Sequence, residues 1–252
     1  MAACLPFQQH YNFFTLIKLM LMKYKFILII FIALLAEKSF AQKKPYITNG
    51  TDFIFSYGLA TDSAGNDVQS NVRFSMWYNF EKTLNIDFSK SVGFIAGLGL
   101  QNIGMITKPN DSITIKQLVY SVGLPIGFQF GNLEKRQFIT IGAEGELMLD
   151  YKEKVFIENE KVRKHHEFWS NNTNLLNPSV FLKYQKKGFY ICAKYYLMDF
   201  LKPSDIHISD ASYIPSYPKT SQLFLISIGF SSMGKSNGKK ITEPEPKKVN
   251  LI

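Results

Sequence analysis

Glu144 and Glu146 are two carboxylates spaced so that a strand would turn both to one face, where one could donate a proton and the other accept it. The same spacing suits a structural ion-pair network, which is the simpler use. His165-His166-Glu167 brings three potential metal ligands together, but adjacent side chains diverge and no Cys or further His lies close in sequence. Gly234-Lys-Ser-Asn-Gly238-Lys239 has the residue types of a phosphate loop without its spacing or its flanking strand and helix. Ser, His and Asp occur in the connecting segments with no local signature of a nucleophile, so a hydrolase assembled from scattered residues stays an alternative. The expectation is a protein that is not an enzyme and has no catalytic residue, metal ligand or cofactor.

The elements that must carry these residues announce themselves by strict alternation, the mark of strands with one apolar face. It recurs over 52–60, 71–88, 92–104, 114–131, 137–151, 175–185, 188–200 and 221–230. In 71–88, for example, Phe74, Met76, Tyr78, Phe80, Leu84 and Ile86 share one parity, and Arg73, Ser75, Asn79, Asn85 and Asp87 the other. Lys82 breaks that run, so Glu81-Lys82-Thr83 is either a turn or part of one long strand. Phe181 and Leu225 fall out of pattern, and Pro125, which has no N–H to donate, predicts a bulge.

Connections alternate between short (89–91, 132–136, 186–188) and long (61–70, 105–113, 152–174, 201–220). Short turns on one rim and long loops on the other are the layout of an outer-membrane barrel, with the short turns periplasmic. The fold class read from this is all-β, an eight-stranded antiparallel up-and-down transmembrane β-barrel.

The chain has 252 residues, and its composition fits: 15% aromatic, with Phe 22 and Tyr 13 against Trp 2, and only 19% charged. No apolar run long enough for a membrane helix follows position 41. Before it, a basic stretch at Met22-Lys-Tyr-Lys25, an apolar core from Phe26 to Leu35 and a small-residue site ending at Ala41 form a signal peptide, with cleavage expected after Ala41. The predicted organisation is therefore an upstream mis-start over 1–21, a signal peptide over 22–41, a periplasmic segment over 42–51, the barrel over 52–232 and a disordered tail over 233–252. Cleavage would leave Cys192 alone and without a disulfide partner. Residues 1–41 hold four lysines and one glutamate, so the net charge of +9 falls to +6 after cleavage. An exported chain rarely meets nucleic acid, and lysine clusters such as Lys186-Lys187 are better placed beside lipid phosphates.

Alternation alone does not say which face is inside, because a soluble lipocalin-like ligand-binding barrel buries its apolar face. Side-chain size decides: the polar parity is rich in Gly, Ser, Asn and Gln, whereas the bulky parity would overfill an eight-stranded interior. Charges on the polar parity then meet in the lumen, Arg73, Lys183 and Lys194 against Asp87, Glu144 and Glu146, as a neutralising network. His165, His166, Phe168, Trp169, Tyr213 and Tyr217 fall in the long connections and form the candidate binding surface.

Gly97-Leu-Gly-Leu-Gln-Asn-Ile-Gly104, Gly123-Leu-Pro-Ile-Gly127, Gly142-Ala-Glu-Gly-Glu146 and Lys194-Tyr-Tyr-Leu197, with the leader end Ser39-Phe40-Ala41, resemble the PorT-like outer-membrane barrels of the Bacteroidota over residues 45–232. The resemblance implies an OmpX-like architecture and a secretion or assembly component as one reading of function. A structural or loop-binding barrel with a closed polar lumen is the other, with a barrel-borne lipid hydrolase as a further alternative. Implied partners are outer-membrane lipid, the barrel-insertion machinery and an extracellular or secretion partner. One departure is the end of the barrel: Phe230, the aromatic residue expected there, is followed by 22 more residues.

Overall fold

The computed structural model describes residues 44–62, 64–202 and 218–233. The predicted signal peptide, the tail beyond Met233, Tyr213 and Tyr217 lie outside the described residues, and Met233 itself ends β11. Eleven strands follow in order: β1 (Tyr46–Thr61), β2 (Asp67–Asn71), β3 (Arg73–Ser75), β4 (Phe80–Asp87), β5 (Val92–Asn110), β6 (Ile113–Asn132), β7 (Gln137–Ile157), β8 (Glu160–Phe168), β9 (Leu176–Lys186), β10 (Phe189–Tyr196) and β11 (Thr220–Met233). All pairings are antiparallel, and β1 meets β11 from Thr48↔Met233 to Thr61↔Thr220, which closes the sheet into a barrel. β2, β3 and β4 lie end to end along β1 as one interrupted stave, and β8 pairs with β7 alone, so eight staves form the ring.

Local chemistry ends the strands where the polypeptide must reverse. At the short-turn rim, the Ser89 hydroxyl accepts the N–H groups of Ser91 and Val92, and Asn132 accepts that of Lys135. Arg136 and Lys187 adopt positive φ there.

At the other rim, the predicted loops are largely strand. β5 runs to Asn110 and turns through Asp111-Ser112, with Asn110 Oδ1 accepting the N–H groups of Ser112 and Ile113. β7 runs to Ile157, turns through Glu158 and Asn159, at φ 50° and 70°, and returns as β8. Positive φ at both central residues is the geometry that matches the twist of a two-residue hairpin. The expected loops at 61–70, 105–113 and 152–174 are corrected accordingly. Over β7 and β8 both faces carry charges, Lys152, Lys154 and Lys164 on one and Glu153, Arg163 and Glu167 on the other, which leaves little hydropathy contrast to read.

Three further expectations change. The barrel wall begins at Tyr46, since 46–51 pair with β4 and 48–51 also with β11, so 42–51 is not a separate periplasmic segment. Its inward residues are Tyr46, Thr48 and Gly50, and only Ile47 on the outward parity is bulky and apolar, which makes the alternation faint. Residues 81–83 lie within β4; the stave breaks instead at Met76–Asn79, where Tyr78 sits at φ 65°. Pro125 causes no bulge: Ala96↔Ile126 and Gly99↔Gly123 keep one register across it, and the shift falls beside β7, between Tyr120 and Ser121.

The outward face is a continuous apolar surface, with Phe128 50%, Ile141 56% and Leu182 52% exposed. Burying one such side chain is worth roughly 1.5–3 kcal/mol, so a whole ring of them demands an apolar solvent. This is the surface of a transmembrane barrel.

Candidate functional site: the barrel interior and the long-strand rim

Lys194 on β10 projects across the interior to β7, its Nζ 2.5 Å from Glu144 Oε2 and 2.9 Å from Glu146 Oε1. It also donates to Gln101 Oε1 on β5 at 3.0 Å. Tyr196 donates to Glu146 Oε1 at 2.6 Å and Ser121 on β6 donates to Glu146 Oε2 at 2.8 Å, so three strands converge on the two carboxylates of β7. Space for them comes from Gly123, where an added Cβ would lie 1.9 Å from Glu144 Oε1.

Lower down, Lys183 on β9 holds Glu81 on β4 with contacts of 2.7 and 2.9 Å. Asp52 on β1 accepts from the Tyr190 hydroxyl and, at 3.2 Å, from Ser227. Two small cavities lie here, and the Lys183–Glu81 pair lines both.

The six charges expected in the lumen are all buried, but they do not form the one network predicted. Lys194, Glu144 and Glu146 meet. Lys183 takes Glu81 instead, a residue whose sequence neighbourhood fits a turn as well as a strand. Asp87 accepts from Tyr46 at 3.3 Å.

Arg73 does something different: it donates to the Asn102 carbonyl at 3.1 Å and to Asn102 Oδ1 at 2.6 Å. β5 pairs with β2 at 106–108 and with β4 at 93–100, so Arg73 faces the stretch between those ladders. Asn79 completes the seam. Its Oδ1 accepts the Asn102 N–H at 2.8 Å, and its Nδ2 donates to the carbonyls of Asp52 and Ser75. Two side chains thus replace the backbone ladder that the break at Met76–Asn79 removes.

The lumen is not polar throughout, which corrects the closed polar lumen expected. Above the charges, Ile54, Ile103, Met105, Val119, Met148, Leu223 and Leu225 pack with Tyr151 and Tyr196 into a buried apolar cluster. Leu225 had seemed a pattern error, and so had Phe181; both point inward, Phe181 beside Ile95, Tyr190 and Cys192. An inward-facing leucine is invisible to a rule that equates apolar with outward.

Cys192 is free and buried against the upper of the two cavities. We expect it to resist a maleimide reagent in the folded barrel and to label fully after boiling in detergent. Fast labelling of the folded protein would mean that the interior is open to solutes of that size.

At the long-strand rim, β8 carries four of the residues expected in a binding loop or sets them at its end. His165 and His166 point to opposite faces: His165 Nε2 lies 3.6 Å from Glu167, whereas His166 lies 2.5 Å from Asp150. Ser170 donates to Glu167, which, with His165 beside it, holds that carboxyl below its usual range. Phe168 and Trp169 are exposed and stack edge to face at 5.6 Å. Phe168 pairs across with Asp150, and Asp150 with Tyr120, so these rings lie level with Tyr120 and not at a loop tip. Among the described residues, no group of three or more His, Cys, Asp or Glu could hold a metal ion.

No family model matches the chain, and no curated protein does. Solved structures similar to it include the attachment invasion locus protein Ail of Yersinia pestis, 11% identical, with a TM-score of 0.32 over 75% of this chain and 97% of that one. Neisserial surface protein A is 11% identical, at 0.33 over 77% and 100%. The N-terminal barrel domain of Pseudomonas aeruginosa OprF is 8% identical, at 0.30 over 76% and 99%.

Proposed function

We propose that the protein is an outer-membrane β-barrel, exported through a cleaved signal peptide, whose filled interior makes it a scaffold for an extracellular sheet and not a pore or an enzyme. The observation that carries this is the inversion of the two faces. Bulky apolar side chains point out, while the interior holds Lys194, Glu144 and Glu146 below a packed apolar cluster. A soluble ligand-binding barrel would have the opposite arrangement. The short turns then face the periplasm, and β8 and the upper parts of β5, β6 and β7 project outside the cell.

The test is to fold residues 42–252 into detergent and compare gel mobility with and without boiling, alongside circular dichroism. A heat-modifiable band with a β-sheet spectrum is expected, together with no conductance steps in planar bilayers. A monodisperse protein without detergent would overturn the reading.

The resemblance to the PorT-like group of the Bacteroidota extends this to a secretion or assembly component, in which periplasmic turns such as Asn132–Arg136 would meet the partner. Substitutions in those turns would then block secretion while leaving the barrel heat-modifiable. If only substitutions in the extracellular sheet impair function, the loop-binding reading holds instead.

A further inference from the structure

β6, β7 and β8 continue past the apolar band as a sheet whose two faces differ in charge. On the face continuous with the lumen, charges are matched: Arg163 lies 3.9 Å from Glu153, and His165 3.6 Å from Glu167. The face continuous with the apolar band is cationic. Lys116, Lys154 and Lys164 stand directly opposite one another on the three strands, with Lys152 opposite His166 in the next row and Lys161 beyond.

Asp150 is the one carboxylate these strands place on that face among the described residues, and it is already shared, 3.0 Å from Lys152 and 2.5 Å from His166. Lys154, Lys161 and Lys164 form no salt bridge among the described residues, and Lys116 lies over the Phe156 ring at 4.8 Å. Like charges directly opposite on neighbouring strands repel. A folded sheet that keeps such a row is built for an anion from outside the chain.

The height of the row says which anion. Along β6 the outward residues run Phe130, Phe128, Ile126, Leu124, Val122 and Tyr120, then Leu118 and Lys116. With about 3.4 Å per residue and a strand tilt near 45°, Phe130 to Tyr120 spans roughly 25 Å, the height of the apolar band of such barrels.

Aromatic rings mark its upper edge: Tyr78 meets Tyr120 edge to face at 5.4 Å, and Phe168 lies on the same row. Lys116 is four residues higher, about 10 Å, which is the level of lipid headgroups, and it points the same way as the lipid-facing side chains.

We propose that this face binds the phosphate groups of the outer-leaflet lipid surrounding the barrel, holding the projecting sheet down onto the membrane surface. The proposal rests on the membrane-barrel reading above. It is not carried by the lysine clusters at the turns, because here register places the charges on one side only.

Both tryptophans of the chain, Trp77 and Trp169, are exposed near the aromatic row and provide a probe. Protein folded in zwitterionic detergent is titrated with a bisphosphorylated lipid A and with its dephosphorylated form while tryptophan emission is followed. Phosphorylated lipid is expected to bind at least about tenfold more tightly, and the preference to shrink at high salt.

The variant with Lys116→Gln, Lys154→Gln and Lys164→Gln should lose the preference, and Lys→Arg at the same positions should keep it. Equal binding of both lipids, or an unchanged preference in the glutamine variant, overturns the proposal. So does a soluble sulfated polysaccharide that binds through these lysines when lipid phosphate gives no response, which would assign the face to a polysaccharide. Each variant is first checked for the heat-dependent gel shift. Loss of that shift in the wild type would refute the barrel itself, an outcome distinct from failure of lipid recognition.

Discussion

Lys194→Met should lower the stability of the barrel by about 3–5 kcal/mol, read as a shift in the urea midpoint of unfolding in lipid vesicles. The methionine matches the length of the side chain it replaces, so the loss is electrostatic. Nζ of Lys194 is within 2.9 Å of a carboxylate oxygen on both Glu144 and Glu146, and all three residues are buried. Removing the one cation leaves two carboxylates facing each other away from water. Adding Glu144→Gln and Glu146→Gln to Lys194→Met should recover at least half of the loss, because amides carry no charge to strand. A loss under about 1 kcal/mol for the single variant would show that lumen water already screens the cluster.

Asn79→Ala is the second large effect, expected at about 3 kcal/mol. The Asn79 side chain is buried and both donates and accepts, to Asp52 and Ser75 on one side and Asn102 on the other. Each buried polar group left without a partner costs roughly 1–3 kcal/mol, and alanine strands more than one. The effect should also be local. Amide exchange of residues 101–105 should accelerate before the rest of β5, because there side chains stand in for the ladder. Arg73→Met should reproduce that local opening through the Asn102 carbonyl and Oδ1. Uniform exchange along β5 in both variants would mean that the seam holds by the neighbouring strands alone.

Arg73 also shows where sequence reasoning stops. Its parity placed it inside correctly, and its charge suggested a carboxylate partner. The carbonyl that it caps is left out of the ladder only because β3 ends and Tyr78, five residues away, takes a positive φ, an irregularity that hydropathy does not encode. The Lys183–Glu81 pair was missed for a related reason. Lys82 interrupts the apolar parity, which fits a turn at its neighbour, whereas in the barrel Lys82 points outward on a strand that continues. Phe181 and Leu225 point the opposite lesson: two apolar residues that broke the pattern are among those that fill the lumen.

What the sequence by itself determined is the stave plan. Alternation with period two, short turns with Ser89, Asn132 and Gly188, and small polar residues opposite bulky apolar ones suffice for eight antiparallel staves turned inside out, because each is a local property of a strand and its neighbours. What only the tertiary structure decided is everything that depends on register and closure: which lumen charges meet, which residues bridge the broken stave, and which face of the projecting sheet gathers Lys116, Lys154 and Lys164. Residues 50 or more apart in sequence become neighbours through the stagger of long strands, and a shift of one residue in any pairing would send every side chain to the other face.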